Sequence, residues 1–336
     1  MWGLWNAAIG RVEFPTARAL GAELLRLAAG ATLPASYRKR AHNVQGRNAF
    51  WSGEWVAART HFEQSLALEE APQWDVLDFY GYDPGVSSRS CLACVLWCLG
   101  SPDQALGQSE AALAAARQRA HLPGLALALH YAVWVHWQRA EVPAMLAHVE
   151  ELLTLACREH FPYWRALATM WHGWALTVQG QPAAGIAQLH QGLAACRASG
   201  ADPDQLSQMA LLVDAYRHAG QTAAGLRLVA QVQPSMARTG ERFSAIELLR
   251  LQGELLLQQA SPDVCQAEHC FQQALTLAQH QQARALELRA ALRLSRLWQQ
   301  QGQPAAATAL LAPLYHGFTE GLDTADLQEA RAFLDT

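Results

Sequence analysis

The chain has 336 residues, of which 51% are hydrophobic and 16% charged, which excludes a disordered chain and supplies ample apolar surface for a core. A formal net charge of −4, with one short basic run at 38–40 that is expected to be a solvated helix end, argues against nucleic acid as a partner. No apolar run reaches the roughly 18 residues of a membrane span, no signal peptide is evident at 1–10, and seven cysteines lie in apolar stretches, so we expect a cytoplasmic protein without a membrane partner.

A short turn recurs along the chain about every 40 residues. Most of its instances centre on glycine, which favours the end of a helix, and the proline or acidic residue that often follows favours the start of the next helix. The markers of this turn, in chain order, are Val12, Gly53, Gly100, Ala140, Gly180, Gly220, Ala260 and Gly302.

Small and bulky residues stand at fixed distances from the markers. A small residue follows five positions later and a bulky residue usually nine positions later, while Gly46 and Gly173 stand seven positions before their markers. Because positions four apart share one face of a helix, the small residue lets two helices cross closely and the bulky one fills the gap beside it. The pattern predicts helical hairpins, and in the seventh it holds with two residues inserted after the marker. The small positions are Ala17, Ala58, Ala105, Gly185, Gly225, Ala267 and Ala307, and the bulky positions are Phe62, Leu189, Val229, Phe271 and Leu311.

The hairpins predict an all-α fold of about eight helix pairs and a terminal helix, with Thr324 as the expected N-cap of that last helix. Units 2 and 3 are separated by about seven extra residues. The segment 80–85 within this excess is either an ordered loop over the inner side of the array or a plain connector. One domain, 1–336, is predicted with units at 1–32, 33–72, 85–120, 122–160, 163–200, 203–240, 243–282 and 284–318 and a terminal helix at 324–334.

These offsets resemble the tetratricopeptide repeat, in which a glycine, a small residue, an aromatic residue and another small residue follow in this order. The second unit shows the series as Gly53, Ala58, Phe62 and Ser65. The units here are about 40 residues long, where the usual motif has about 34. The resemblance implies a right-handed superhelical solenoid with a concave groove, built from helices longer than those of the usual motif.

A closer resemblance covers nearly the whole chain. It is similar to the carboxy-terminal helical region of large bacterial signalling ATPases and adenylate or guanylate cyclase-type proteins. The resemblance implies a region that senses an inducer, or docks partners, and controls an NTPase module. Neither catalytic module is present in this sequence, and unit 1 begins abruptly, so a fragment or a split reading frame is one expectation. The matching segments are YDPGV at 82–86, RLQGELLL at 250–257, AEHCFQQAL at 267–275 and FTEGLDTADL at 318–327.

Motifs that carry catalysis are missing from the sequence. The single lysine, Lys39, follows no phosphate-binding loop, and the Gly-x-Gly-x-x-Gly, His-Glu-x-x-His and Gly-x-Ser-x-Gly patterns are absent. Cys91 and Cys94 spell Cys-x-x-Cys, but they lie in the middle of a predicted helix without a second ligand pair, which favours structural thiols. We therefore expect no enzyme, no cofactor and no metal site.

The inner side of each first helix is the expected binding surface. In tetratricopeptide arrays, groove positions lie 13, 10, 6 and 3 residues before the turn marker. These offsets give an aromatic middle and an arginine-bearing far end, which suit an extended or helical peptide. Core packing and groove exposure both remain open for Trp134 and Trp174. The groove positions are Asn43, Arg47, Phe50, Trp97, His130, Trp134, Trp137, Met170, Trp174, Asp214, Arg217, Arg250, Glu254, Arg289 and Arg296.

Three functions are compatible with this sequence. The first is a scaffold that holds a protein or peptide segment in the concave groove, with an NTPase or cyclase module as one partner. The second is a sensor whose aromatic middle encloses a small-molecule inducer, and the third is a remnant of a longer cyclase-like protein. Residues 2–9 are mostly apolar, and terminal repeats normally need a polar cap, so self-association through the first unit is also expected.

Overall fold

The computed structural model describes residues 1–30, 34–68, 82–200 and 205–335, and these form an all-α array without a β-strand. Residues 31–33 and 201–204, where predicted units meet, and residues 69–81, which include the start of the predicted loop or connector at 80–85, lie outside the described residues. The prediction of eight helix pairs and a terminal helix is confirmed.

The helices pair in chain order as antiparallel hairpins, and the last helix stands alone. Their bounds are α1 Trp2–Gly10, α2 Phe14–Ala28, α3 Ala35–Trp51, α4 Trp55–Ala67, α5 Pro84–Cys98, α6 Pro102–Gln118, α7 Leu122–Gln138, α8 Val142–Arg158, α9 Pro162–Val178, α10 Pro182–Ala198, α11 Gln205–His218, α12 Thr222–Thr239, α13 Ala245–Leu257, α14 Val264–Gln281, α15 Arg284–Gln300, α16 Pro304–His316 and α17 Ala325–Leu334.

The turn inside most hairpins ends its first helix in the same way. At Gly100, for example, φ is +89° and the N–H donates to the carbonyl of Trp97, while the next N–H, of Ser101, donates to the carbonyl of Leu96. This left-handed helix end satisfies carbonyls that the helix cannot pair itself. Ala260 lacks the positive φ, because the seventh turn is longer. The markers with a positive φ are Val12, Gly53, Gly100, Ala140, Gly180, Gly220 and Gly302.

A second series of left-handed residues lies between hairpins, and sequence analysis missed it. Glycine occupies only two of its positions, so glycine spacing gave no signal there. These turns reverse the chain from the second helix of one unit to the first helix of the next. The residues are Ala120, His160, Gly200, Gly240 and Gln282.

Close helix crossings inside the hairpins depend on glycine. A Cβ added at Gly46 would lie 2.5 Å from the ring of Phe62, and one at Gly253 would lie 2.5 Å from the ring of Phe271. Both phenylalanines are buried. Gly253 also stands seven positions before its marker, Ala260, so the predicted small-against-bulky packing recurs in unit 7.

The first two units differ from the sequence expectations at two residues. Lys39, in the basic run expected to be solvated, is buried in α3. Trp5, in the apolar stretch expected to remain uncovered, is fully buried and donates from Nε1 to Asn48 Oδ1 over 2.9 Å. The guanidinium of Arg47 lies 4.9 Å from the centre of a Trp5 ring. Trp5, Ala8 and Ile9 of α1 are buried, although Leu4 is exposed.

Thr324 stands directly before α17 as predicted, but its side chain does not cap that helix. Its hydroxyl donates to the carbonyl oxygen of Gly321 over 2.7 Å instead. The hydroxyl therefore stabilises the turn before α17 rather than the first N–H groups of the helix.

The two halves of the array meet and close it. We call the seam the set of contacts between units 2–4 and residues 240–327. Trp55 Nε1 donates to Gln281 Oε1 over 3.2 Å, and the backbone N–H of Arg242 donates to the carbonyl of Trp51 over 3.0 Å. Farther along, α15 packs on α5. Repeat arrays normally have contacts between neighbouring units alone. Here unit 2 also contacts unit 7, and unit 3 contacts unit 8, so the superhelix closes on itself; we call this closed superhelix the ring.

We expect Gly253→Ala to destabilise the fold, because its methyl group would overlap the buried ring of Phe271. Overpacking of this kind costs about 1–3 kcal/mol. Gly107→Ala is the matched control, since Gly107 lies exposed inside α6 with nothing near its added Cβ, and alanine there gains up to about 1 kcal/mol of helix propensity. Chemical denaturation of both variants measures the difference, and equal stability of the two would contradict the crossing geometry.

Candidate functional site

The residues predicted to line the groove all lie on α3, α5, α7, α9, α11, α13 and α15, the first helices of units 2 to 8, and we call the side of these helices that bears them the inner face. The structure does not leave them in an open groove. Trp137, Arg217 and Glu254 are half-buried, Arg289 is largely buried with 11% of its side chain exposed, and Arg296 is exposed. That these residues contact a partner stays a prediction. The buried ones are Asn43, Arg47, Phe50, Trp97, His130, Trp134, Met170, Trp174, Asp214 and Arg250.

An aromatic cluster fills the inner face where units 2, 4 and 7 meet. It comprises Phe50, Trp51, Trp55, Trp134 and Phe243. The ring of Phe243 lies 4.6 Å from that of Phe50, 5.7 Å from Trp51, 5.5 Å from Trp55 and 5.6 Å from Trp134, measured between ring centres. Tilted and edge-on pairs at such distances are favourable. Phe243 therefore closes the cluster from the turn before α13.

An aromatic strip leads from this cluster to the charged end of the inner face. Trp134 contacts Trp97 edge-on at 5.6 Å between ring centres, and Trp137 contacts Trp174 at 6.0 Å. Trp174 Nε1 in turn donates to Asp214 Oδ2 over 2.8 Å. The buried positions of Trp134 and Trp174 agree with the core-packing interpretation of the tryptophan pattern.

A small cavity lies beside the aromatic cluster. Its volume is about 30 Å³, and its lining includes Trp51, His130, Met170 and Gln208. A buried water molecule needs at least about 10–15 Å³, so this cavity has room for water but not for an inducer of the size of a sugar. In the closed ring, the aromatic middle thus packs against itself.

The charged end of the inner face is an internally paired network. Arg250 donates to Glu247 and Glu254 over 2.6 Å each. Arg217 donates to Asp214 over 2.7 Å and lies 3.2 Å from Glu254. Buried charges are tolerated when they are paired and hydrogen-bonded, and each group here has at least one opposite charge within bonding distance.

The network shifts the acidity of its carboxyl groups. Burial raises the pKa of Asp214, Glu247 and Glu254, but neighbouring guanidinium groups outweigh this effect, so the pKa of each carboxyl lies below its ordinary value. Burial likewise lowers the pKa of Arg250, and its carboxylate partners raise it above the ordinary value. The network is therefore fully ionised near neutral pH.

Arg289 connects this network to the seam. Its Nη1 donates to Gln138 Oε1 over 2.7 Å and to Glu247 Oε1 over 3.1 Å, and its Nη2 donates to Asp326 Oδ2 over 2.5 Å. The guanidinium carbon lies 4.9 Å from the centre of a Trp97 ring, within the range of a cation–π contact. One side chain thus joins units 3, 4, 7 and 8 to α17.

Three residues that contact the predicted site residues were not themselves predicted: Glu247, Phe243 and Asp326. Glu247 lies 13 positions before Ala260, so the offset rule used for the groove could have found it. Phe243 lies in a turn between units, and Asp326 lies beyond the last turn marker, so no repeat offset applied to either.

The described residues contain neither a candidate metal site nor a candidate membrane span. Within 1–30, 34–68, 82–200 and 205–335, no group of three or more histidine, cysteine, aspartate or glutamate residues is placed to hold a metal ion. In the same ranges, no helix has both the length and the apolar character to cross a bilayer. Cys91 and Cys94 are both buried within α5.

Comparison with solved structures defines the fold class as tetratricopeptide-like helical repeats. A Rap protein complexed with competence and sporulation factor is 12% identical, with 99% of this chain and 97% of that chain covered at a TM-score of 0.62. Aspartyl phosphate phosphatase F from Bacillus subtilis is 12% identical, with 94% and 92% covered at a TM-score of 0.52. NprR in complex with its cognate peptide NprX is 10% identical, with 88% and 81% covered at a TM-score of 0.51. No protein-family model matches the chain, and no curated protein sequence matches it.

We expect Arg289→Met to destabilise the closed ring by about 3–5 kcal/mol, because it removes one partner from a buried charge network. Arg296→Met is the matched control on the same helix. The side chain of Arg296 is 48% exposed and pairs with Glu329, and a surface pair of this kind contributes about 0–1 kcal/mol. Thermal and denaturant unfolding of both variants measures the contrast; a loss for Arg289→Met no larger than for the control would exclude Arg289 as a main stabilising contact of the seam.

We expect the free energy of unfolding to fall in acid, because the carboxylates of the charged network become protonated. Since the folded pKa of Glu247 lies below its unfolded value of 4.5, the stabilisation it provides is complete above that pH and is lost as the pH falls through the folded pKa. Asp214 and Glu254 act in the same direction. Unfolding measured from pH 7 to pH 3 should show this decline, with a smaller slope in Glu247→Gln. An unchanged slope in that variant would contradict the assignment.

Proposed function

We propose that this chain is a non-catalytic scaffold that binds a segment of another protein on its inner face. The observation that carries the proposal is the aromatic strip that runs into an arginine-bearing network on that face. Tryptophan and arginine supply much of the binding energy at protein interfaces. An apolar centre beside charged groups suits an extended or helical peptide.

The similar structures support a peptide or protein partner. The NprR structure is a complex with its cognate peptide NprX, and the Rap structure is a complex with competence and sporulation factor. Another similar structure is named a phosphatase. The proposal that this chain is not an enzyme rests instead on the catalytic motifs that its sequence lacks.

The accessible part of the inner face lies in the last two turns of the first helices. Trp137 and Arg217 are half-buried there, and Arg296 is exposed. A partner makes its first contacts with these side chains and extends toward the buried aromatic cluster as the seam loosens. Trp137 is therefore the residue through which the proposal is tested.

A finer proposal concerns the identity of the partner. We propose that it is an NTPase or cyclase module of the bacterial signalling type. The support is the resemblance of the four sequence segments at 82–86, 250–257, 267–275 and 318–327. Co-purification of this chain with such a module from the same genome tests the proposal, and failure of every such module to co-purify would contradict it.

Peptides selected from a displayed library on the whole chain should bind Trp137→Ala at least 10-fold more weakly, as expected for the loss of an interface tryptophan. Trp298→Ala is the control, because Trp298 is also half-buried but donates to Glu268 and lies outside the groove positions. Fluorescence anisotropy gives the dissociation constants. Equal binding to both variants, or no enriched peptide, would count against the inner face as the site.

A further inference from the structure

The segment FTEGLDTADL at 318–327, which carries the most specific part of the sequence resemblance, has no role in the repeat itself. It follows α16 and runs into the first turn of α17. From there it reaches unit 3, more than 200 positions earlier in the chain. We call this segment the clasp.

Glu320 of the clasp caps a helix of the other half of the ring. Its Oε1 accepts from the backbone N–H groups of Asp103 and Gln104 over 3.2 Å each, and its Oε2 accepts from the Gln104 side-chain amide over 3.0 Å. Ser101, at the N-cap position of α6, makes no side-chain cap bond. The clasp thus supplies the carboxylate that the start of α6 lacks, where the helix dipole also favours negative charge.

The clasp and α6 exchange bonds in both directions. The N–H of Gly321 donates to Asp103 Oδ2 over 2.9 Å. Gly321 has φ of +65°, and a Cβ added there would lie 2.0 Å from Cγ of Pro102. Only glycine permits both the left-handed backbone and this approach. The Phe318 ring in turn lies 3.0 Å from the Cβ that any residue other than glycine would place at position 100.

The other end of the clasp is anchored on its own half of the ring. Asp326 accepts from Arg289, and Leu327 is buried in one hydrophobic cluster with Leu288 and Leu292 of α15. Leu327 is buried at this end, whereas the bonds of Glu320 to α6 lie at the surface. Segments held by exposed hydrogen bonds open at lower free energy than buried packing does.

The seam is not tightly packed along its whole length. Beside the Trp55–Gln281 hydrogen bond lies a cleft of about 390 Å³, with Glu54, Arg242 and His280 also in its lining. At that end the buried rings of Trp55 and Phe243 hold the seam, and the cleft lies beside them. The clasp covers the other end, where it contacts α6 and where α15 packs on α5.

We propose that residues 318–327 form an intramolecular clasp that holds the ring closed and controls access to the inner face. The access part rests on the proposed function; the closure part does not. When the clasp is docked on α6, the inner side chains pack against one another. When it releases, units 3 and 8 separate and the aromatic strip becomes accessible to a partner.

The test uses the full chain in three forms: Gly321→Ala, Glu320→Ala and the control Thr319→Ala, which alters an exposed clasp residue. Hydrogen exchange followed by mass spectrometry reports on the amides of 100–106 and 284–290. We expect exchange at these amides to rise at least 10-fold in Gly321→Ala and less in Glu320→Ala, with the control unchanged. Glu320→Ala removes only surface hydrogen bonds, so it keeps the test valid if Gly321→Ala does not fold. Unchanged exchange in a folded variant overturns the clasp.

Access is read separately with the dye 1-anilinonaphthalene-8-sulfonate, which fluoresces on apolar surfaces. We expect its fluorescence to increase several-fold in the clasp variants and not in Thr319→Ala. Faster exchange without dye binding overturns control of access. If the dye binds the clasp variants but no peptide is selected on any form of the chain, the clasp is supported and the proposed function is contradicted. The two failures are therefore distinguishable.

Discussion

A guanidinium buried inside a protein needs acceptors for its N–H donors, and the closure of this ring depends on how Arg289 finds them. Glu247 and Asp326 belong to the same end of the chain as Arg289, but Gln138 and Trp97 belong to units 4 and 3. Those two partners are available to Arg289 when the halves of the ring meet. Closing the seam therefore adds an amide acceptor and an aromatic face to the two carboxylates that Arg289 has in its own half. Buried ion pairs add little net stability over apolar packing, but leaving one partner unpaired is costly, so Arg289 selects one arrangement of the ring.

Under the proposed function, the inner face has two competing roles. Of the side chains proposed to meet a partner, Trp134 and Arg289 also make contacts across the seam. Phe243, a residue of the chain itself, fills the aromatic cluster. A ligand shifts such an equilibrium only by the difference between its affinities for the two states. Binding to this face is therefore weakened by whatever free energy the seam contributes.

The repeat could be predicted from the sequence because its signals are local. Gly46 and Phe62 lie 16 positions apart within one hairpin, and the turn at Gly100 is formed by bonds between residues less than six positions apart. The same offsets predicted the groove positions on the first helices. Closure could not be predicted in this way, because it depends on small rotations summed over all the units. The partners that it creates, such as Arg289 with Gln138, are 151 positions apart. Lys39 was placed wrongly at the surface because charge alone does not reveal how a neighbouring helix covers its stem.

The clasp and the buried network are coupled through one residue. Asp326 belongs to the clasp and also accepts from Arg289, so movement of the clasp away from α6 that carries Asp326 with it removes an acceptor from the buried guanidinium. The surface bonds of Glu320 are the first to open, since water competes for them directly. Loss of these bonds then weakens the contact between Asp326 and Arg289, and the remaining acceptors of Arg289 must pair with its charge. The surface contact of Glu320 with α6 can in this way control the interior contact of Asp326 with Arg289. This coupling exists because Glu320 and Asp326 belong to one segment.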